Sequence, residues 1–159
     1  MVAEVGLALS WLAAHLAGYG ADPVRIYVSG HSAGGHLTAM TIGLGVARGG
    51  LAISGLYDLE PIRLSYLNAK LGLDASEARR NSPIAHLPPA AAPLVIAYGT
   101  SELPELCRQS VAYASAWIDH GLPSRLLPIE GADHFTVLEC LAAPDGVLTN
   151  ALAEMIGDD

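Results

Sequence analysis

Positive charge is scarce in this sequence. Its 159 residues include 8 Lys and Arg against 16 Asp and Glu, which gives a formal net charge of −8 at pH 7. Nucleic acids and anionic membranes are bound through clustered Lys and Arg side chains, so this balance argues against both as partners. It leaves open a small, uncharged substrate.

Cysteine is scarce as well. Cys107 and Cys140 are the only two, and they lie far apart without forming a C-x-x-C pair. No histidines cluster near them at metal-ligand spacing, so the sequence indicates no metal site, and no organic cofactor is expected. Two free buried thiols in a reducing cytosol are the favoured interpretation, although a disulfide between them stays open.

A long uninterrupted hydrophobic run is also missing. The apolar first twenty residues carry Glu4 where a signal peptide is basic, and His15 interrupts them. The sequence therefore predicts an amphipathic helix that ends near residues 18–20, and we expect a cytoplasmic protein. Its apolar residues recur at helical spacing: Val5, Leu9, Leu12 and Leu16.

What the sequence does have is a globular composition, with 52% hydrophobic residues, and an alternation of strand and helix patterns. We predict one domain, residues 1–159, with an α/β fold and a mainly parallel sheet. The predicted strands, each closed by glycine, are 24–30, 50–55, 93–99 and 124–131. The predicted helices are 33–46, with Leu37, Met40 and Leu44 on one face, 104–120 and 146–156. Residues 56–92 are mixed, with short helical pieces at 61–70 and 74–80 followed by a loop.

The handedness of crossovers limits how such a sheet is covered. Crossovers between parallel strands are right-handed, so four strands in chain order place every crossover helix on the same face. Only the final helix is free to cover the other face, although parallel sheets normally have both faces covered. The sequence therefore predicts an incomplete three-layer αβα architecture.

The segment "VSGHSAGGHL" places a serine at the junction of a strand and a helix. Gly30, His31, Ser32, Ala33 and Gly34 fit the G-x-S-x-G nucleophile elbow. In this motif the serine occupies a strained turn, and we expect glycine at both flanking positions to avoid collisions with the neighbouring strand and helix. The backbone N–H of the alanine and the start of the helix would stabilise an oxyanion.

A serine hydroxyl needs a base that takes its proton, and a hydrolase of this type has the order serine, acid, histidine. His134, in "GADHF", follows the fourth predicted strand and is the favoured base. The favoured acid is Glu102, after the third strand, and it would orient the imidazole. Asp58, after the second strand, is the main alternative. A structural role for Glu102 at the start of a helix stays open.

Five segments together resemble the arylformamidase (kynurenine formamidase) branch of the α/β-hydrolases: "GHSAGGHL", "SGLYDLEPIRLSYLN", "NSPIAHL", "ELPELCRQS" and "DHF". The resemblance covers essentially the whole chain. It implies Ser32 as nucleophile, Glu102 as acid and His134 as base, and it implies that Asp58 is not the acid. The implied reaction is hydrolysis of N-formylkynurenine, or of a related small ester or amide.

The sequence departs from that family in two ways. The family's acid is normally aspartate, and Glu102 adds one methylene. The family also has a large N-terminal half whose HGG-type loop donates a second oxyanion N–H, and nothing upstream of residue 24 corresponds to it. We therefore expect the C-terminal part of a hydrolase fold. Loss of one oxyanion donor typically lowers kcat by ~10²–10³.

Two functional hypotheses follow. The first is a serine hydrolase that acts on a small ester or amide. The second is a catalytically weak or silent module that associates through an exposed edge and face of its sheet, because an unpaired edge and an apolar face favour association. Under either hypothesis we expect a homodimer or higher homo-oligomer. The 56–92 stretch contains Tyr57, Tyr66 and Leu67. These residues either cap the active site or are ordinary packing residues.

Overall fold

The computed structural model describes residues 1–157, so residues 158 and 159 of the predicted domain lie outside the described residues. Four parallel strands form one sheet in chain order, which confirms the predicted α/β class. The strands are β1 (Tyr27–His31), β2 (Gly49–Ile53), β3 (Leu94–Gly99) and β4 (Ser124–Ile129). The first strand begins three residues later than predicted, because Asp22 accepts hydrogen bonds from the N–H groups of Val24 and Arg25 and forms a turn there.

Four helices of nine residues or more surround the sheet among residues 1–157: α1 (Val2–His15), α2 (Ala33–Thr41), α6 (Pro104–Asp119) and α8 (Val147–Gly157). The shorter helices are α3 (Glu60–Arg63), α4 (Asn68–Leu71), α5 (Ala75–Arg80) and α7 (Glu139–Ala142). Single 3-10 turns lie at Leu16–Tyr19, Ile42–Leu44, Pro83–Ala85 and Thr136–Leu138. The predicted helix 61–70 is thus two short helices, and the predicted helix 33–46 ends in a 3-10 turn.

The two crossover helices α2 and α6 pack on one face of the sheet, as the handedness rule predicts. Their shared core contains Ile42, Tyr113 and Trp117, which are fully or almost fully buried. Burying a large aromatic or aliphatic side chain contributes about 1.5–3 kcal/mol relative to leaving it exposed. This face therefore holds the largest buried side chains of the chain's described part.

The other face is covered by α8 together with the segment that follows β4. Leu148 is fully buried against the strands, and Leu152 and Met155 pack beside it. The final helix does cover this face, as predicted. Val137 and Leu141, which lie between β4 and α8, add cover that the prediction did not include.

Helix α2 buries a different set of residues from the predicted apolar ones. Leu37, Met40 and Leu44 are all at least partly exposed. The residues that α2 buries against the sheet are small or hydroxylic: Gly35, Thr38, Ala39 and Thr41. Close approach of the helix to β1 and β2 selects small side chains there, and the larger ones point away toward α1.

Helix α1 packs beside α2 and is mostly exposed. Leu9 is its buried residue, and Val5, Leu12 and Leu16 are half-buried on the predicted face. Together with the turn that follows, Val2–Tyr19 is long and apolar enough to cross a membrane by length and composition, a test that core helices of soluble proteins and signal sequences also pass. The cytoplasmic location therefore stays a prediction.

Candidate active site

Ser32 occupies a sharp turn between β1 and α2. Its φ of 57° and ψ of −115° lie in a region that residues with a Cβ rarely adopt. The turn is held on both sides, because the N–H of Ser32 donates to the carbonyl of Ile53 and its carbonyl accepts from His36. The half-buried serine therefore lies at the carboxyl end of the sheet, in the strand–turn–helix setting that the motif requires.

The glycines around this turn do not all play the predicted part. A Cβ on Gly30 would lie 2.4 Å from the backbone of Gly34, and a Cβ on Gly35 would lie 2.8 Å from the backbone of Gly55. A Cβ on Gly34 would meet no atom within 4 Å. The predicted collision at Gly34 is thus wrong, because this residue faces a groove beside β1 instead of a packed strand.

His134 lies in the loop after β4 and reaches the serine. Its Nε2 is 3.0 Å from the Ser32 Oγ. The loop is shaped by Asp133, whose side chain accepts hydrogen bonds from the N–H groups of Phe135 and Thr136. These backbone hydrogen bonds also lower the pKa of Asp133. Asp133 thus fixes the loop that carries the imidazole.

Glu102 contacts the other ring nitrogen of the histidine. Its Oε2 is 2.8 Å from the His134 Nδ1, and the carboxylate has no solvent exposure. Because a carboxylate only accepts, the neutral imidazole carries its proton on Nδ1 and leaves Nε2 free to accept from the serine hydroxyl. The three side chains form one hydrogen-bonded series that is polarised toward removal of the serine proton.

The alternative acid Asp58 lies elsewhere, and so does Glu105, which is close to Glu102 in sequence. The Asp58 Oδ1 accepts a hydrogen bond from the N–H of Glu60, at 3.0 Å, at the start of α3. Glu105 lies within α6 and pairs with Arg108, which lowers the pKa of the glutamate. Glu102 is thus the carboxylate that the fold brings to His134.

Ala33, the predicted oxyanion donor, is the first residue of α2. The N–H groups in the first turn of a helix have no partner within the helix. The positive end of the helix dipole also lies at this position, directly beside the serine. An electron-rich oxygen of a bound substrate would be stabilised there.

Three contacts at the site were not predicted. The Glu102 Oε1 accepts from the N–H of Gly99, at 2.8 Å, and from the hydroxyl of Ser54. The Nε2–H of His31 donates to the carbonyl of His134, at 2.7 Å. Burial and the neighbouring His134 ring lower the pKa of His31. The sequence placed Ser54 near the end of the predicted strand 50–55, whereas the strand ends at Ile53, and a serine before a glycine also suits an ordinary turn.

The three residues singled out in the 56–92 stretch differ in burial, and only Tyr57 is shown to pack. Tyr57 is buried and stacks on Tyr113, with ring centroids 4.3 Å apart, so it is a packing residue. Tyr66 is 87% exposed and Leu67 is also exposed.

Cys107 and Cys140 are both free, half-buried thiols, so the open disulfide alternative is wrong.

A family profile and two curated proteins are similar to this chain in sequence. A protein-family profile described as BD-FAE matches residues 1–49. Kynurenine formamidases of Danio rerio and Salmo salar are 33% and 34% identical to the chain over 145 and 146 residues, which is 83% of this chain and 50% of each relative. The chain thus spans about half the length of the curated relatives it matches.

A solved structure extends the similarity to esterases. Thermogutta terrifontis esterase 2, phosphoramylated by tabun, superposes with a TM-score of 0.70 and 28% sequence identity. The match covers 85% of this chain and 54% of the esterase. A parallel sheet of this order, a serine on a strained strand–helix turn and these sequence similarities lead to one conclusion: the chain has an α/β-hydrolase fold and is similar to arylformamidases and esterases.

Proposed function

We propose that this chain is a serine hydrolase of small esters or amides. The observation that carries the proposal is the continuous hydrogen-bonded series from Glu102 through His134 to Ser32. A serine hydroxyl becomes nucleophilic when an oriented base accepts its proton, and this series provides both the base and its orientation.

The proposed reaction has two halves. The Ser32 Oγ attacks the substrate carbonyl while His134 Nε2 takes the hydroxyl proton, and the Ala33 N–H stabilises the resulting oxyanion. The tetrahedral intermediate collapses, His134 returns the proton to the leaving group, and an acyl-serine remains. Water, deprotonated by the same imidazole, then attacks the acyl group and releases the acid. Glu102 stays ionised throughout and stabilises the imidazolium.

The favoured substrate is an N-formylated aryl amine such as N-formylkynurenine, which would give kynurenine and formate. Similarity to two kynurenine formamidases over 83% of this chain supports this choice. A simple carboxylic ester is the second candidate, supported by the similarity to an esterase. Both reactions use the same attack on a carbonyl carbon and differ in the leaving group.

A fluorophosphonate probe tests the nucleophile directly. We expect the folded wild-type chain to be labelled and Ser32→Ala to lose all labelling. Ser115→Ala provides the matched control, because Ser115 is an exposed serine on α6, away from the sheet's carboxyl end. Absence of labelling in a folded wild-type chain would contradict the proposed function.

Turnover then distinguishes the two substrates. Formate release from N-formylkynurenine and nitrophenol release from p-nitrophenyl acetate are compared as kcat/KM on the same preparation. A ratio in favour of the formamide supports the formamidase assignment. A chain that turns over only the ester is a carboxylesterase.

We propose as a second candidate that the chain associates with a second copy of itself through β1. This strand lies at an edge of the sheet. The carbonyl of Ile26 and the N–H of Ser32 form hydrogen bonds with residues at the two ends of β2. Along a strand, successive residues direct their backbone groups alternately to the two sides. The exposed Ser29 is three residues from each of these two, so its N–H and carbonyl point away from β2. Unpaired edges of this kind promote pairing with another chain, and a second copy offers the same strand.

Light scattering tests the association. We expect a dimer or higher oligomer for the wild-type chain and a shift toward monomer for Ser29→Pro, since proline removes the outward N–H. Ser29→Ala, which keeps the N–H, is the control. A monomeric wild type, or a Ser29→Pro variant that stays oligomeric, would refute pairing through β1.

A further inference from the structure

Ser54 has an unusual place in this fold. It follows β2 directly, is completely buried, and has a φ of +50°. Its N–H donates to the carbonyl of Ala97 at 2.7 Å, and its hydroxyl donates to the Oε1 of Glu102. A residue with a Cβ is strained at this φ, whereas glycine would adopt it freely. What serine adds at this position is the hydroxyl that contacts the acid.

The contact between Ser54 and Glu102 matters because the other carboxylate oxygen of Glu102 contacts His134. Oε1 receives the Ser54 hydroxyl and the N–H of Gly99, while Oε2 faces His134. A glutamate has one more rotatable bond than an aspartate, so its carboxylate needs more restraint to hold a fixed orientation. Two donors on one oxygen supply that restraint and leave the second oxygen aimed at the imidazole.

We infer that Ser54 is a positioning residue for the hydrolytic site, acting through Glu102. The inference rests on the proposed serine hydrolase function. Ser54 has no solvent exposure and its hydroxyl contacts Glu102, so it would act through this carboxylate without touching a substrate. Its loss should therefore lower kcat and leave KM nearly unchanged.

Two substitutions separate this role from a merely structural one. Ser54→Ala removes the hydroxyl and keeps the strain, whereas Ser54→Gly removes both. We expect kcat to fall about 10- to 100-fold in both variants, the range of a lost hydrogen bond to a charged group. The glycine variant should nevertheless unfold at a higher temperature than the alanine variant. A structural role would instead make activity follow stability, with the glycine variant close to wild type.

A double-mutant cycle with Glu102 gives an independent readout. If Ser54 acts only by orienting the carboxylate, Ser54→Ala should change kcat less than about twofold in a Glu102→Ala background. A full, additive loss in that background would overturn the inference.

The outcomes also distinguish this inference from the proposed function. If a folded wild-type chain is neither labelled nor active, the proposed function falls and the positioning role falls with it. If the wild type is active and Ser54→Gly keeps wild-type kcat, only the positioning role is overturned.

Discussion

The two ends of the hydrogen-bonded series at the site have opposite surroundings. At one end, Glu102 has no solvent exposure and its two oxygens meet three donors from three segments of the chain. At the other end, Ser32 is half-buried at the tip of an edge strand, and Gly34 beside it faces an open groove. Glu102 is held by donors from the ends of β2 and β3 and from the His134 loop, whereas Ser32 has a neighbouring strand of the sheet on one side only.

This difference shows which side chains of the site are firmly held by the described residues. Orientation of the imidazole depends on contacts that are buried and therefore insensitive to solvent. Orientation of the serine depends on its strained turn and on the tight packing of Gly30 and Gly35. The histidine loop that it contacts also receives a hydrogen bond from His31. Substitutions at the two ends should therefore differ in size and kind.

The largest expected effect is at the buried end. Glu102→Gln keeps the shape of the side chain but presents an amide to His134 Nδ1, which destabilises the imidazolium and favours the wrong tautomer. We expect kcat to fall about 10⁴-fold, as when a triad acid is amidated. Steady-state kinetics measures the loss, and Glu105→Gln, whose carboxylate pairs with Arg108, is the matched control. Equal effects in the two variants would exclude Glu102 as the acid.

The next effect concerns the packing of the two glycines that follow Ser32 on α2. Gly35→Ala places a Cβ 2.8 Å from the backbone of Gly55, and we expect it to lower the free energy of unfolding by about 1–3 kcal/mol. Gly34→Ala meets no atom, and because alanine favours helices over glycine it should raise that free energy by up to about 1 kcal/mol. Urea denaturation checks both. A destabilised Gly34→Ala variant would show that the groove is filled.

A smaller effect is expected for the hydrogen bond between the His31 side chain, next to Ser32, and the loop that carries His134. His31→Ala removes the N–H that holds the carbonyl of His134, and a neutral hydrogen bond contributes about 1 kcal/mol. We expect kcat to fall about fivefold, with most of it restored in His31→Gln, which keeps a side-chain N–H donor. If His31→Ala has wild-type kcat, the loop is held without this contact.

The smallest effect is a dependence of stability on pH. Burial lowers the pKa of His31 and of His36 from the ordinary value of 6.5, so each binds a proton less readily in the folded chain than in the unfolded chain. As the pH falls through 6.5 the unfolded chain takes up these protons first, and the free energy of unfolding decreases by at most about 1.4 kcal/mol per pH unit for each group.

Urea denaturation at pH 7.5 and 5.5 measures this decrease. His36→Gln keeps a side-chain N–H for the carbonyl of Asn81, which His36 contacts at 2.7 Å, and removes the titration. We expect a smaller decrease in that variant. An equal decrease would assign the pH dependence to other groups.

Much of the geometry of the candidate site could be predicted from the sequence. The serine between glycines, the histidine after the last strand and the acid after the third strand each stand at the end of a strand, and the carboxyl ends of parallel strands meet at one edge of a sheet. The partners of Glu102 could not be predicted in the same way. Whether Ser54 points at the acid depends on its φ, and a short segment that ends in Ser-Gly fits several turns equally well.

The sequence by itself determined the succession of strands and helices along the chain and the position of the strained serine turn, because periodicity and turn motifs are local. It also determined that the crossover helices share a face once the strands lie in chain order, because crossovers are right-handed. Only the tertiary structure decided that Ser54 and Gly99 hold one oxygen of Glu102, that Gly34 faces open space, and that α2 buries its small residues. Those outcomes depend on how closely segments distant in the chain approach each other, which no local pattern records.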